Sequence, residues 1–274
     1  MARECENTAC SREGCEGCPS GSGAANFAAA MNPKSHVKKV IAVVSGKGGV
    51  GKSSLTALLA VTLSRQGYRT GILDADITGP SIPHLFGVNQ VPGSDGESIL
   101  PVETRTGIKL ISVNLLLEDR ASPVVWRGPV LASVIKQFWS DVIWGELDYL
   151  LVDMPPGTGD VPLTVFQSLP LHGILLVTSP QSLVEMVVEK AFHMAEMMQI
   201  PVLGIIENFS YLKCPDCGKE IPLFGKSRTE EWAKAHGLPL LLRLPLDPAI
   251  SAYADAGQME MYPGREAEQL NQYL

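Results

Sequence analysis

Six short apolar runs recur through this chain at intervals that leave room for helices between them. They are VIAVVS (residues 40–45), TGILDA (70–75), YLLVDM (149–154), GILLVTS (173–179), VLGIIEN (202–208) and LLLRLP (240–245). None alternates apolar with polar residues, so none has a face suited to water. Strands apolar on both faces, separated by helical segments, predict a parallel sheet covered on both sides, an α/β three-layer fold. The helices are legible as well. SSLTALLAVTLSRQG runs to Gly67, a suitable C′ residue, while residues 130–145 and 183–198 repeat apolar residues at i, i+3 and i+4. The face formed by Met186, Met194, Met197 and Met198 reads as core packing. Residues 88–107, rich in Gly, Pro and polar side chains, read as a surface excursion.

The most informative loop joins the first strand to the first helix. SGKGGVGKSS satisfies G-x-x-x-x-G-K-[ST], with Gly46, Gly51, Lys52 and Ser53 in register. Glycines at Gly46, Gly48, Gly49 and Gly51 let the backbone curl around Val50, so that successive N–H groups face a phosphate chain. Lys52 then neutralises β/γ-phosphate charge, and the Ser53 hydroxyl, followed by Ser54, is placed to ligate Mg²⁺. ATP with Mg²⁺ is the expected ligand. Two further strands end in carboxylates: Asp74 and Asp76 in TGILDADITGPS, and Asp153 in YLLVDMPPGTGD, where the glycines permit a mobile switch.

Six cysteines fall into two groups, Cys5, Cys10, Cys15 and Cys18 near the start and the pair Cys214 and Cys217 in CPDCG. The opening residues show no apolar signal segment, so secretion and a disulfide scaffold are not expected, and clustered thiols point to metal or redox chemistry in the cytoplasm. A lone CxxC offers two thiolates where zinc or a [4Fe–4S] cluster needs four. It reads as a metal knuckle, a redox pair, or half of a site completed by another molecule. The first group offers four thiolates within one chain; an iron cluster, zinc and an unligated tail all remain open for it. Residues 1–36 carry little that would build a core, and a second unit, residues 37–274, carries the strand–helix pattern. The net charge of −7 argues against a general nucleic-acid binder, and no apolar run is long enough to span a bilayer.

The second lysine of the loop, Lys47, makes the form GKGGVGK, which resembles the deviant phosphate loop of the MinD/ParA/nitrogenase-iron-protein class. In that class the extra lysine reaches the nucleotide of a partner subunit, which implies a homodimer and a catalytic role for Lys47 beside Lys52. The same resemblance puts Asp76 at the residue that positions attacking water, Asp74 in support of it or of the magnesium shell, and Asp153 at the metal-holding aspartate. It also implies adenine recognition by Asn208 and by the LPLDP segment with Pro245 and Asp247. More narrowly, DADITGPSIPHLFG, VVWRGP, LLVDMPPGTGD, TSPQ and IENFSYLKCPDCGKE are similar to the Mrp/ApbC family of iron–sulfur carrier ATPases, from about Val37 to about Ile250. What this implies is a [4Fe–4S] cluster bridged by Cys214 and Cys217 of two subunits and delivered to apo-proteins under ATP control. Some members carry an N-terminal ferredoxin-like motif, which GCEGCPS resembles. The rival readings are a MinD/ParA-like positioning ATPase with a structural zinc CxxC, and an electron-donating reductase. The first leaves the thiols without a chemical task, and the second keeps its cluster cysteines far apart in sequence.

Overall fold

A computed structural model describes residues 29–77, 79–117, 128–181 and 184–274. The expectations placed on Cys5, Cys10, Cys15 and Cys18, and on most of VVWRGP, lie outside the described residues. In chain order the elements are β1 (His36–Ser45), α1 (Lys52–Arg65), β2 (Thr70–Asp74), α2 (Ile82–Leu85), β3 (Gly93–Ser94), β4 (Ile99–Leu100), β5 (Val102–Glu103), β6 (Lys109–Ser112), α3 (Gly128–Ser140), β7 (Glu146–Asp153), α4 (Asp160–Ser168), β8 (Gly173–Thr178), α5 (Val184–Met197), β9 (Val202–Lys213), β10 (Glu220–Ile221), α6 (Thr229–Ala235), β11 (Leu240–Pro245) and α7 (Pro248–Asp255).

Among the described residues the main sheet has the order β10-β9-β8-β1-β7-β2-β6-β5, with β11 also paired to β9. Every pair in its body is parallel; only β5 on β6 and β10 on β9 run antiparallel. The two-sided apolar runs explain this directly. Along β1, Ile41 and Val43 enter the core under α1, while Val40, Ala42 and Val44 enter the core under α3, α4 and α5. Successive strand residues point to opposite faces, so a sheet with helices on both sides needs apolar residues at every position. Helix α1 is buried all round from Leu55 to Leu63, a stretch of Leu, Ala, Val and Thr with no charged residue. It ends as the pattern predicts, with Gly67 at φ 88°.

Three local expectations are corrected. The helix expected over 130–145 stops at Ser140: Trp144 is buried with its indole N–H donated to Phe138 O at 3.0 Å, and Val142 bridges to Ile99. Burial of these two side chains on the sheet side draws the chain out of the helix. The excursion at 88–107 contains a small β3–β4 hairpin and strand β5, whose Val102 is buried. On α5, Met194 and Met198 pack against the core, but Met197 is 78% exposed. Residues 29–35 lie against the folded unit, with Ala29 N–H donating to Ser168 O at 2.9 Å and Ala29 O accepting from the Trp139 indole N–H at 2.9 Å. Among the described residues no helix is long and apolar enough to cross a membrane.

Candidate functional site

In-register parallel strands bring the predicted polar residues to one edge. Asp74 of β2 is the register partner of Asp153 on β7, and Ser45 of β1 pairs with Val177 of β8. The carboxyl ends of these strands therefore open on a common crevice, where α/β sheets bind ligands. The glycine loop crosses it and delivers Lys52 as the first residue of α1. Gly51 sits at φ 77°, and a Cβ there would collide with Asn208 Nδ2 and lie 3.0 Å from Phe209 Cζ. Both the backbone conformation and the space require glycine.

Lys52 and Asp153 form a buried ion pair, Nζ to Oδ1 at 2.8 Å, with side chains 6% and 0% exposed. The same carboxylate accepts from Ser53 Oγ at 2.6 Å and from Thr56 Oγ1 at 2.8 Å. Three hydroxyl or ammonium donors from the first five residues of α1 thus meet one acidic group from β7. Asp74, fully buried beside it, accepts from Ser112 Oγ at 3.1 Å and from the Asp76 N–H at 3.2 Å. Burial, and then the charge of Asp153, push the Asp74 carboxyl well above the usual carboxylate range, against the opposing pull of Lys52. Asp74 thereby fixes the backbone of Asp76, whose own Oδ1 accepts from Gly79 N at 3.2 Å. Asp76 and Pro156 join the loop in lining a hollow of about 220 Å³. The segment after β7 is tied to β1, with Gly157 N–H donating to Ser45 O at 3.0 Å.

A larger cavity of about 360 Å³ adjoins the loop and is lined by Ser54, Leu58, Asn208, Phe209, Pro245 and Asp247, among others. Its size suits a small organic ligand. Asn208 donates from Nδ2 to Val50 O at 2.9 Å, so β9 is bonded directly to the phosphate loop. Phe209, the next residue, holds a left-handed φ of 57°. Asp247 caps α7 by accepting from Ala249 N at 2.8 Å, and its other oxygen accepts from Tyr262 OH at 2.8 Å. Lys47 leaves the loop toward β8, its Nζ donating to Gln181 Oε1 at 2.6 Å.

Further along β9 the chain turns at a hairpin whose tip is CPDCG. Cys214 N–H donates to Lys219 O at 2.9 Å and Gly218 N–H to Cys214 O at 2.9 Å, closing the tip before β10. The Cys217 and Asp216 N–H groups, then the Cys217 thiol, hold the Cys214 thiol below its ordinary value. Backbone N–H donors around a thiol favour its thiolate form, the form that binds metals. Cys217 is exposed and Cys214 half-buried. Among the described residues no group of three or more Cys, His, Asp or Glu forms that could hold a metal ion. Beneath the hairpin, the buried Glu207 accepts from Ser210 Oγ, Ser227 Oγ and Arg243 Nε, the last at 3.3 Å. Burial raises the Glu207 carboxyl, but the bonds from Ser210, Ser227 and Thr229 and the charge of Arg243 outweigh it, leaving a net lowering.

The profile of the NUBPL iron-transfer P-loop NTPases of the ParA group matches residues 36–274. The chain belongs to that family. An iron–sulfur cluster carrier protein from Clostridium perfringens is 46% identical over 235 residues, covering 83% of this chain and 82% of the relative. One of the same description from Methanocaldococcus jannaschii is 48% identical over 225 residues, covering 81% and 78%. A nucleotide-binding protein from Archaeoglobus fulgidus, solved in complex with ADP, superposes with a TM-score of 0.76 at 45% identity, covering 87% of this chain and 93% of that one.

Within this NTPase fold, four participants were invisible to motif reading. Thr56 is one helical turn beyond Lys52, a spacing that would have placed it on the same face. Ser112 ends β6, a strand too short and too polar (KLIS) to stand out. Gln181 lies in TSPQ, a stretch that carried the resemblance without a role attached. Glu207 stands inside the apolar run VLGIIEN, where a charged residue signals a buried partner.

Proposed function

We propose that this P-loop NTPase binds and hydrolyses ATP as a cytoplasmic homodimer and carries a [4Fe–4S] cluster, bridged by Cys214 and Cys217 of both subunits, to apo-proteins. The observation that carries the reading is the knuckle itself: two thiols at an exposed hairpin tip, one already biased toward thiolate, on the strand that also bonds the phosphate loop through Asn208. Two thiolates are half of a four-thiolate site, and a two-fold axis doubles them. Ile221, Leu223 and Phe224, 40–45% exposed immediately beyond the tip, supply apolar surface for a subunit contact beside the cluster. The relatives described as iron–sulfur cluster carriers support the cargo.

In this reading Lys52 exchanges Asp153 for the β/γ-phosphates, and Ser53 and Asp153 hold Mg²⁺, which supplies charge neutralisation on the phosphates. Asp76, its backbone fixed by Asp74, orients the attacking water. Lys47 acts on the partner's nucleotide, stabilising charge on the transferring phosphoryl group. Asn208, Pro245 and Asp247 border the base. Loss of the γ-phosphate frees the 154–160 segment, and the change at the glycine loop reaches Cys214 through the Val50–Asn208 bond and β9.

The test is anaerobic reconstitution with iron and sulfide, followed by incubation with an apo-ferredoxin as acceptor. It is run on a chain in which Cys5, Cys10, Cys15 and Cys18 are Ser. Cluster should bind at one per dimer and move to the acceptor, and Cys214→Ala/Cys217→Ala should lose iron while keeping ATP affinity. Unchanged iron in that variant, or stoichiometric zinc without iron, would overturn the reading.

A further inference from the structure

Lys47 is held in a specific direction, and that direction has a functional consequence. Its carbonyl accepts from Ser45 Oγ at 3.1 Å, which fixes the backbone, and its Nζ donates to the Gln181 amide oxygen at 2.6 Å. Sheet order explains the geometry. β1 lies between β7 and β8, so residues that follow β8 emerge on one flank of the glycine loop. Asp153, which ends β7, and Asp76, which follows β2, lie on the other flank. Gln181 therefore draws the Lys47 ammonium away from the carboxylates of its own chain's site.

The chemistry of the partner matters as much as its position. A carboxylate would hold an ammonium firmly, whereas a neutral amide holds it by one bond that a phosphate oxygen can outcompete, because an anionic acceptor adds ion–ion attraction that the amide lacks. A single lysine–amide bond orders the long side chain without trapping it. We propose that Gln181 is a release latch: it parks Lys47 on the β8 flank of the isolated subunit and yields it to the phosphates of a second subunit's nucleotide. Gln181 is thus a positioning residue, acting through Lys47, and it sets how readily ATP-bound subunits combine into the hydrolysing dimer. This inference rests on the trans role proposed for Lys47.

Two substitutions with opposite expected signs test it. Gln181→Ala removes the latch, and steady-state ATPase at low protein concentration should rise about three- to tenfold, with the concentration for half-maximal turnover shifted down equally. Gln181→Glu tightens the latch, so turnover should fall by a similar factor and recover as salt screens the new ion pair. ADP affinity, which reports the intact loop through Lys52, should stay within twofold in both. In a Lys47→Ala background the Gln181→Ala effect should vanish. If both substitutions lower turnover together, or neither changes it, the latch is wrong. If Lys47→Ala by itself retains full turnover, the trans-lysine reading fails instead, and the two failures are told apart by that single variant.

Discussion

Asn208 of β9 donates its side-chain N–H to the carbonyl of Val50, in the middle of the glycine loop, at 2.9 Å. Six residues later the same strand delivers Cys214 to the tip of an exposed hairpin. The nucleotide loop and the thiol pair are thus joined by one hydrogen bond and one continuous strand. In the proposed cycle, this bond and strand are the direct covalent and hydrogen-bonded link between the glycine loop and the cysteines.

The two loop lysines should separate cleanly. Lys52→Ala removes the cation from a buried Asp153 and should cost about 3 kcal/mol of stability, together with most ATP affinity. Lys47→Ala, whose partner is a neutral amide, should bind ATP normally but turn over about 100- to 1,000-fold more slowly. Nucleotide titration, thermal unfolding and steady-state phosphate release on the two variants check this.

Gly51 tolerates no side chain. At φ 77°, with Asn208 and Phe209 occupying the space of a Cβ, Gly51→Ala adds backbone strain of about 1–3 kcal/mol and pushes Asn208 off Val50. ATP affinity should fall at least tenfold. Gly49→Ala is the informative control: its φ is also positive, at 79°, but nothing lies within 4 Å of its Cβ, so the loss there should be the smaller.

Asp74 makes the fold alkali-sensitive. Its carboxyl is raised in the folded chain, so between the ordinary aspartate value of about 3.9 and its folded value the native state binds more protons than the unfolded one. Stability from this group is therefore full below the ordinary value and declines as pH rises through the raised one. Asp74→Asn keeps an acceptor at Oδ1 for the Asp76 N–H and turns the other position into an amide donor that the Ser112 hydroxyl can accept from, while removing the buried charge. Denaturant unfolding across pH 4–8 should show a shallower decline for Asp74→Asn than for the parent chain, with equal or greater stability at neutral pH.

Glu207 ties β9 to the segment that follows the hairpin and to β11. Its carboxyl is lowered on balance by hydroxyl donors and Arg243, so its contribution is present above the ordinary glutamate value and is lost as pH falls through the lowered one. Glu207→Gln should weaken the Ser210, Ser227 and Arg243 bonds at a cost of about 1–3 kcal/mol. Amide exchange should accelerate over 225–229 and around Cys214, while ATP affinity changes little.

The strand runs and the glycine loop determined the layer order, the parallel sheet and the place of Lys52 and Ser53 without any coordinates. Their signals are local: a run apolar at each position has to be covered on both faces, and a loop that curls around phosphates needs glycine at set intervals. Tertiary structure alone decided who meets whom across the crevice. That Asp153 gathers Lys52, Ser53 and Thr56, that Asp74 takes the Ser112 hydroxyl, and that Lys47 turns to Gln181 all depend on strand order and register. Sequence spacing does not encode these pairings, because the partners lie up to 134 residues apart and are brought together only when the sheet closes. The same limit explains the helix expected to reach Gly145. Its apolar period continues past Ser140, but the buried sites that take Val142 and Trp144 exist only once β4 and β7 are in place.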